Sequence, residues 1–590
     1  MHNTKPNAGL RKKLLAIVAG LLAMWLVAYL IAPSARDNAV PAATGGVPGV
    51  AEPEARAAGE TAEPALPDFS ERGGFYTEPI ALTITAGDSG ARIHYTLDGS
   101  EPTAESPIYT APIPIKDRSD EANVFADIET TREGWIKPPR VFKGTVVRAA
   151  AIGSNGKKSP VVTRTYFIHP EGRDRISLPV ISLATDGRHF FDNETGIYVP
   201  GNLYRNAVPE RPWENPANYT QSGREWERPV SVELFEPDGT QGFALDAGVR
   251  IHGGATTANP IKSLRLYFRK EYGEGKLKYR LFPDRDYEKF DVVVLRSSGN
   301  DHDGSLFRDA FMQHLLEEGH TSVDTLGYRP AVVFLNGEYW GIHNIRERAD
   351  EEYIAEKYGI EPNRIDLLEF NAEPIAGDAD HYNAMIQYLK DHDIREDEHY
   401  AYIQTQMDVD NFIDYMAAQI YYANTDWPGN NIRMWREKTD SYSPGAEYGR
   451  DGRWRWIVFD TDFGFGMYGK ENYKHDTLAF ATAPNGPDWP NPDWSTFLLR
   501  TLLLNDEFRE RFAARFDVHL KSTFAPERVV ALIDSFKQGI VAEIDEHIAR
   551  WGRPYSYGHW SEQIETMKAF ARERPTYVRQ HLNDNLLLGD

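Results

Sequence analysis

Apolar and polar positions divide the chain into four regimes. Residues 14–32 form an unbroken apolar run, close to the ~20 residues a bilayer-spanning helix needs. Residues 33–67 are mostly Ala, Pro, Gly and Glu; with few large apolar side chains they cannot bury a core and read as a flexible spacer. Between 68 and 170 the runs are short and alternating, at 80–84, 92–96, 145–152 and 161–168, with Asp98-Gly99 as a turn. That spacing predicts a small all-β unit. From 178 to 590 strand-like runs come first and helical periodicity follows, which predicts a larger α+β unit.

Within the larger unit, 179–183, 228–235 and 292–296 predict strands. Residues 248–254 and 262–268 predict a hairpin around Gly253-Gly254, with Lys262 leading its second arm. Asn336-Gly337 between two apolar runs is the strongest short hairpin signal in the chain, and its second strand continues to Arg346-Glu347-Arg348. Ser305 is expected to cap a helix with Phe307, Ala310, Phe311 and Leu315 on one side. A helix over 350–358 ends at Gly359, and 408–423 is amphipathic with Phe412, Met416 and Ile420 inward. Residues 454–459 predict a buried strand running into Asp460 and Asp462. From 494 onward the pattern is mostly helical, including 497–503, 526–551 and 560–581, and no internal repeat is visible.

Charge narrows the class. The net charge of −23 argues against non-specific nucleic-acid binding, which needs a basic surface. With no cysteine, thiolate zinc sites, disulfides and cysteine nucleophiles are excluded. Lys5, Arg11, Lys12 and Lys13 precede the apolar run, and no Lys or Arg follows until Arg36. The positive-inside rule then leaves residues 1–13 as a cytoplasmic tail and the rest outside. Small residues near Ala32-Pro33-Ser34 offer a signal-peptide cut, but the length of the run favours an uncleaved anchor. A single-pass membrane protein is expected, with its bulk in the periplasm or at the cell surface.

The candidate chemistry is carboxylate-rich. In an extended chain Asp460 and Asp462 would share one face, roughly 7 Å apart. Two such carboxylates repel, and a divalent cation beside them holds both ionised. Asp426 with Asn430 and Asn431 adds hard oxygen donors, which suit Mg²⁺ rather than zinc. A pair of exposed turn aspartates is the bland alternative. Lys262 near the glycines is a possible counter-charge for phosphate, although no P-loop pattern is present. Arg308, in the first turn of its helix, opposes the dipole and calls for an anionic partner, either an acidic side chain or a phosphate. Asp301-His302-Asp303 reads as a solvated turn rather than a metal site. Glu347 lies where a strand exits toward a helix, placed either to orient a lysine or to pair with a neighbouring arginine.

Two resemblances join these pieces. Gly74-Phe75-Tyr76, the stretch 93–103 and the stretch 147–151 resemble the β-sandwich at the C-terminal end of chitobiases and β-hexosaminidases, with 117–142 as an insertion. Such modules accompany glycan-active enzymes mostly as spacers. Contact of Tyr95 or Tyr109 with cell-wall glycan is the alternative to their packing in the sandwich. From about 178 to 587 the chain resembles the CotH family, the spore-coat-protein-H-type atypical kinases. The likeness is carried by Arg250-Ile251-His252-Gly253-Gly254 with Lys262, Ser305 with Arg308, 334–341 with Glu347, Asn424-Thr425-Asp426-Trp427 with Asn430-Asn431, 456–462, and Arg574-Pro575.

That resemblance implies a divergent protein-kinase-like α+β fold and ATP-dependent phosphorylation of protein Ser or Thr. It implies Asp426 as the catalytic-loop acid, and Asp460 and Asp462 as metal acids with Asn430 or Asn431 completing the shell. Lys262 would hold the α/β-phosphates, with Arg308 and Glu347 also at the nucleotide. Mg²⁺ or Mn²⁺ would be the cofactor, ATP the substrate, and a protein the acceptor. Two departures stand out: the long loop 436–452 between the acidic blocks, and Phe459 where the family often has Trp. ATP is scarce outside the cytoplasm, so a non-catalytic surface scaffold is the main rival reading. A glycoside hydrolase is the second, requiring carboxylates about 5–9.5 Å apart across a sugar cleft.

Overall fold

The computed structural model describes residues 63–586 apart from 88, 89 and 488. The expected anchor at 14–32 and most of the spacer lie outside the described residues. Among the described residues, no helix is long and apolar enough to cross a membrane.

The N-terminal unit is a sandwich whose main sheet contains β1 (Gly74–Tyr76), β2 (Arg92–Thr96), β3 (Thr145–Ile152) and β4 (Val162–Ile168), in the order β1-β4-β3-β2. Tyr95 and Tyr109 are half-buried against its core of Ile93, Val147 and Tyr166. The unit is not a detached spacer. Phe142 and Phe167 pack on Phe334 of the larger domain, at ring-centroid distances of 5.8 and 4.7 Å, and join its core. The insertion at 117–142 carries much of this docking. The backbone N–H groups of Val124, Phe125 and Ala126 all donate to the Glu338 carboxylate, at 2.6, 3.0 and 2.6 Å.

The larger domain begins with a closed barrel of seven strands: β5 (Val180–Ala184), β6 (Arg228–Phe235), β7 (Gln241–His252), β8 (Ser263–Tyr267), β9 (Val292–Arg296), β10 (Tyr328–Leu335) and β11 (Glu338–Arg346). Around the barrel the order is β6-β7-β8-β9-β11-β10-β5. Alternation decides which side chains go in. Leu183, Val232, Val249, Leu266, Leu295, Val333 and Ile345 fill the interior, and their sequence neighbours face out, as a period of two requires. The β10–β11 turn is the predicted hairpin, with Asn336 and Gly337 both at positive φ (47° and 82°) as a two-residue turn of this kind demands.

The remainder is a four-stranded antiparallel sheet, β13-β12-β14-β15, built from β12 (Ile365–Glu369), β13 (Glu373–Ala376), β14 (Arg433–Glu437) and β15 (Arg455–Ile457), set among helices. The helices used below are α1 (Arg308–Glu318), α2 (Glu351–Tyr358), α3 (Asp380–Asp391), α4 (Val409–Tyr421), α5 (Asp493–Leu502), α6 (Asp506–Lys521), α7 (Pro526–Ile540), α8 (Ile544–Trp551) and α9 (Tyr557–Leu586). α2 ends as expected at Gly359, in the left-handed region, and the Asp350 side chain caps its start. The single helix expected over 526–551 is interrupted at Val541–Glu543, which turns α8 onto β11. Trp551 Nε1 donates to the Trp340 carbonyl there, at 2.7 Å.

Candidate active site

α4 delivers the chain to Asp426, and its end is held from below. Arg574 of α9, fully buried, donates to the carbonyls of Ile420 and Tyr421 at 2.6 and 3.0 Å, and to those of Tyr473 and His475. Carbonyls that a helix end leaves unpaired are thereby satisfied. Ala423 then turns at φ 51°, and the Asn424 Oδ1 accepts from the Asp426 N–H at 3.0 Å. Asp426 is buried, and both of its oxygens are clamped: Asn430 Nδ2 donates to one at 2.8 Å and Asn431 Nδ2 to the other at 2.9 Å.

The long loop 436–452 does not separate the two acidic blocks. β14 pairs antiparallel with β15, Arg433 opposite Ile457, so the loop only joins the far end of a hairpin. At the near end Asn431 Nδ2 reaches the Asp460 carbonyl at 3.3 Å. The extended geometry expected for Asp460 and Asp462 does not hold, because β15 ends at Ile457 and Asp460 sits at φ 51°. The two carboxylates still converge, on Arg296. Its Nη2 donates to Asp460 at 2.5 Å and to Asp462 at 2.9 Å. The Asn300 N–H and Nδ2 complete the Asp462 contacts, at 2.9 and 3.1 Å.

The electrostatics follow from this crowding. Burial pushes the Asp426 carboxyl well above the usual carboxylate range; Asn430 and Asn431 offset part of this, and Asp460 and Asp462 add to it. Asp462 is raised for the same reasons, burial first and Asp460 second, against the opposing pull of Arg296. Arg296 is held above the ordinary arginine range, because Asp460, Asp309 and Asp462 outweigh its burial.

Opposite the acids stands the outer face of the barrel, and it is cationic. The register aligns Arg250 with Arg265, Arg265 with Val294 and Val294 with Arg346 across four strands. His252 lies two residues beyond Arg250 on the same face. Arg265 donates to His252 Nδ1 at 2.6 Å and to Tyr267 Oη at 3.1 Å, and its Nε is buried without a partner. Among the described residues no carboxylate forms an ion pair with it. Burial, then Arg348, lower Arg265 to about 10. Burial, followed by Arg265, Arg296, Arg348 and Arg433, holds the His252 ring well below its usual range and therefore neutral.

Three residues expected at the nucleotide are engaged elsewhere. The Lys262 side chain is fully buried, which pulls it well below the usual lysine range, and its Nζ is engaged: it donates to the carbonyls of Thr257 and Asn259 at 2.8 and 2.7 Å and lies 4.0 Å from the Tyr219 ring centre. Arg308 has the anionic partner its position called for, and that partner is a side chain. Its Nε donates to Asp301 at 3.1 Å, with both residues buried. Asp301 is thus neither a solvated turn residue nor open to metal, and it accepts from the N–H groups of Ser305 and Arg308 in place of the expected Ser305 cap. Glu347 points away from the acids, because its neighbour Arg346 takes the inward position. Glu347 is buried, accepting from Tyr287 Oη at 2.5 Å and from the Gly327 N–H at 2.7 Å, with Arg285 Nε at 3.4 Å.

Arg296, Asp309 and Arg265 sit in no sequence motif that carries a site role, and His252 enters only within the Arg250–Gly254 block of the family likeness. Asp309 is buried; it accepts from the N–H and Oγ1 of Thr461, between the two metal-type acids, and faces Arg346 Nη1 at 3.3 Å. Burial alone would raise its carboxyl, but Arg346 and Arg296 hold it below the usual range. The available signal was the polar alternation at 250, 252, 263 and 265 in strands otherwise apolar.

A closed barrel whose cationic outer face meets a carboxylate loop on a helical base defines an α+β protein with charges of both signs where its two parts meet. A family model described as CotH kinase protein matches residues 249–578, more than half of the chain. The chain belongs to the CotH family. A second model, Fn3 associated, matches residues 73–166, the segment of the N-terminal sandwich. No curated protein matches the chain.

Proposed function

We propose that this chain is an ATP-dependent protein kinase that phosphorylates Ser or Thr of an envelope or surface protein, working outside the cytoplasm from an N-terminal membrane anchor. The observation that supports this best is the convergence of Asp426, Asp460 and Asp462 beneath the cationic barrel face. Phosphoryl transfer needs positioning and charge neutralisation more than covalent chemistry.

The donor set fits Mg²⁺ or Mn²⁺, since it is carboxylate and amide oxygen throughout and two of its carboxyls are pushed up by burial and mutual repulsion. Asp460 and Asp462 would hold the ion, with the amide oxygen of Asn430 or Asn431. Bound there, it supplies charge neutralisation on the phosphate oxygens. Asp426, buried and clamped by two amides, orients the acceptor hydroxyl and takes its proton. Arg265 and His252 contact the phosphates, the role expected of Lys262.

Two observations favour the rival scaffold reading. Arg296 already neutralises Asp460 and Asp462 from within the chain. The carboxylate–histidine groups most tightly gathered among the described residues are also elsewhere, at Asp284, His314 and Glu317 and at Glu396, Glu398 and His399. The experiment is incubation of the purified full chain with labelled ATP, Mg²⁺ or Mn²⁺ and a generic acceptor. Phosphate incorporation is expected, and Asp460→Asn should reduce it at least about 10²-fold with an unchanged melting temperature. Undiminished transfer by Asp460→Asn removes that residue from the site. If the wild-type chain shows neither incorporation nor nucleotide-dependent thermal stabilisation, the scaffold reading takes over.

A further inference from the structure

Arg296 closes β9, and its backbone is held from both sides. It is paired with Asn344 of β11, and the next residue, Ser297, donates its N–H to Ser263 Oγ at 2.9 Å. From that fixed base the side chain points at the acids. Among the described residues its guanidinium is the only cation in an ion pair with either of them, 2.5 Å from Asp460 and 2.9 Å from Asp462. The backbone leaves room for this contact. Gly299 sits at φ 60°, and a Cβ there would crowd Asp462 Oδ2 and Arg296 Nη2, so only glycine leaves the pair undisturbed.

Two further observations make the contact exchangeable. The Asp460 side chain keeps 37% of its exposure and that of Asp462 keeps 1%, so the pair is reached from the Asp460 side. Arg296 Nε is buried without a hydrogen-bond partner and stands 3.9 Å from Asp309 Oδ2. A second anion is thus already beside the same guanidinium. Charge decides what can take its place. Arg296 cancels one of the two negative charges that would draw a divalent cation in, and it repels that cation at short range. A bare ion is therefore attracted weakly. The phosphates of a nucleotide bring negative charges of their own, which offset the ion and the arginine together.

We propose that Arg296 is the resident counter-ion of the acid pair, and that a divalent cation takes its place only when it arrives with the nucleotide's phosphates. Metal and nucleotide then bind as one unit, and bare metal is held off. The proposal rests on the phosphoryl-transfer reading for the identity of the ligand, and on the Arg296 contacts for the coupling. Arg296 is a positioning residue in this scheme.

The test is equilibrium dialysis of the full chain against Mn²⁺ alone and against preformed Mn²⁺–AMP-PNP. Mn²⁺ that Asp460→Asn still retains marks sites elsewhere and is subtracted. The wild type should bind the complex more tightly than the bare ion. In Arg296→Gln bare Mn²⁺ should bind at least about tenfold more tightly than in wild type and the complex no more tightly, so the ratio of the two affinities falls by that factor. Arg296→Lys keeps the charge and should keep the wild-type ratio. A ratio unchanged in Arg296→Gln, or lowered equally in Arg296→Lys, overturns the inference and leaves the phosphoryl-transfer reading standing. A second measurement needs no variant at position 296. Bare Mn²⁺ should leave the wild-type melting temperature unchanged at a concentration where Mn²⁺–AMP-PNP raises it; equal stabilisation by both overturns the inference even if Arg296→Gln fails to fold. If neither Mn²⁺ nor its complex binds the wild type above the Asp460→Asn background, the phosphoryl-transfer reading falls and the inference with it.

Discussion

Single buried charges show how this domain spends its titratable groups. Glu233 on β6 faces the sandwich, where Thr165 Oγ1 donates to it at 2.6 Å and Gln241 Nε2 at 2.9 Å, and no cation forms an ion pair with it among the described residues. Burial raises it from 4.5 to about 7. The folded state therefore holds a proton that the unfolded chain loses near the ordinary value, so stability falls as pH rises toward 7. Glu233→Gln should flatten that slope and leave the variant more stable than wild type at pH 8, by on the order of 1–3 kcal/mol. Thermal unfolding at pH 5 and pH 8 checks it, and identical slopes in the two proteins would refute the assignment. Lys262, Arg308 and Glu347 teach the same lesson from the other side. Their types suggested phosphate chemistry, and their partners turn out to be carbonyls, an aspartate and a tyrosine–arginine pair.

Among the elements, the β10–β11 hairpin has the widest reach. Its turn residues set two tight φ values, and Glu338 immediately after them receives three consecutive N–H groups from the sandwich insertion. Three donors converging on one carboxylate also balance its charge, with Lys143 nearby. Replacing Glu338 by Ala strands those donors and should cost roughly 2–4 kcal/mol, with Glu338→Gln recovering part of it. Calorimetry of the three proteins separates these outcomes; an unchanged melting temperature in Glu338→Ala would mean the insertion does not depend on this cap. The hairpin, the Gly359 end of α2, strand β6 and the inner face of α4 were all legible in the sequence, since each is written within a few neighbouring residues. The interrupted helix between α7 and α8 was not. Nothing in the local periodicity marks the break, and the packing of α8 against β11 decides it.

For the molecule as a whole, a shared aromatic core joins the sandwich to the CotH domain. Phe142 and Phe167 are buried against Phe334, so a chain beginning at 178 would expose the far side of that core. Such a truncation should melt at lower temperature than the full chain and bind a hydrophobic dye. Equal melting temperatures would restore the view of the sandwich as a spacer. The closed barrel belongs to this scale too. β5 closes it by lying antiparallel to β6 and parallel to β10, pairings across long separations that no local pattern announces.

By itself the sequence determined which acids are candidates, the order of their blocks and the elements that carry them, because periodicity, caps and turn residues act over a handful of positions. The tertiary structure decided which polar groups gather around those acids. Arg296 and Asp309 contact the acid loop and Arg265 and His252 lie on the same barrel face, while Lys262, Arg308 and Glu347 are used up in the interior. The physical reason is that a charge takes its role from its nearest partners, and burial brings those partners from distant parts of the chain.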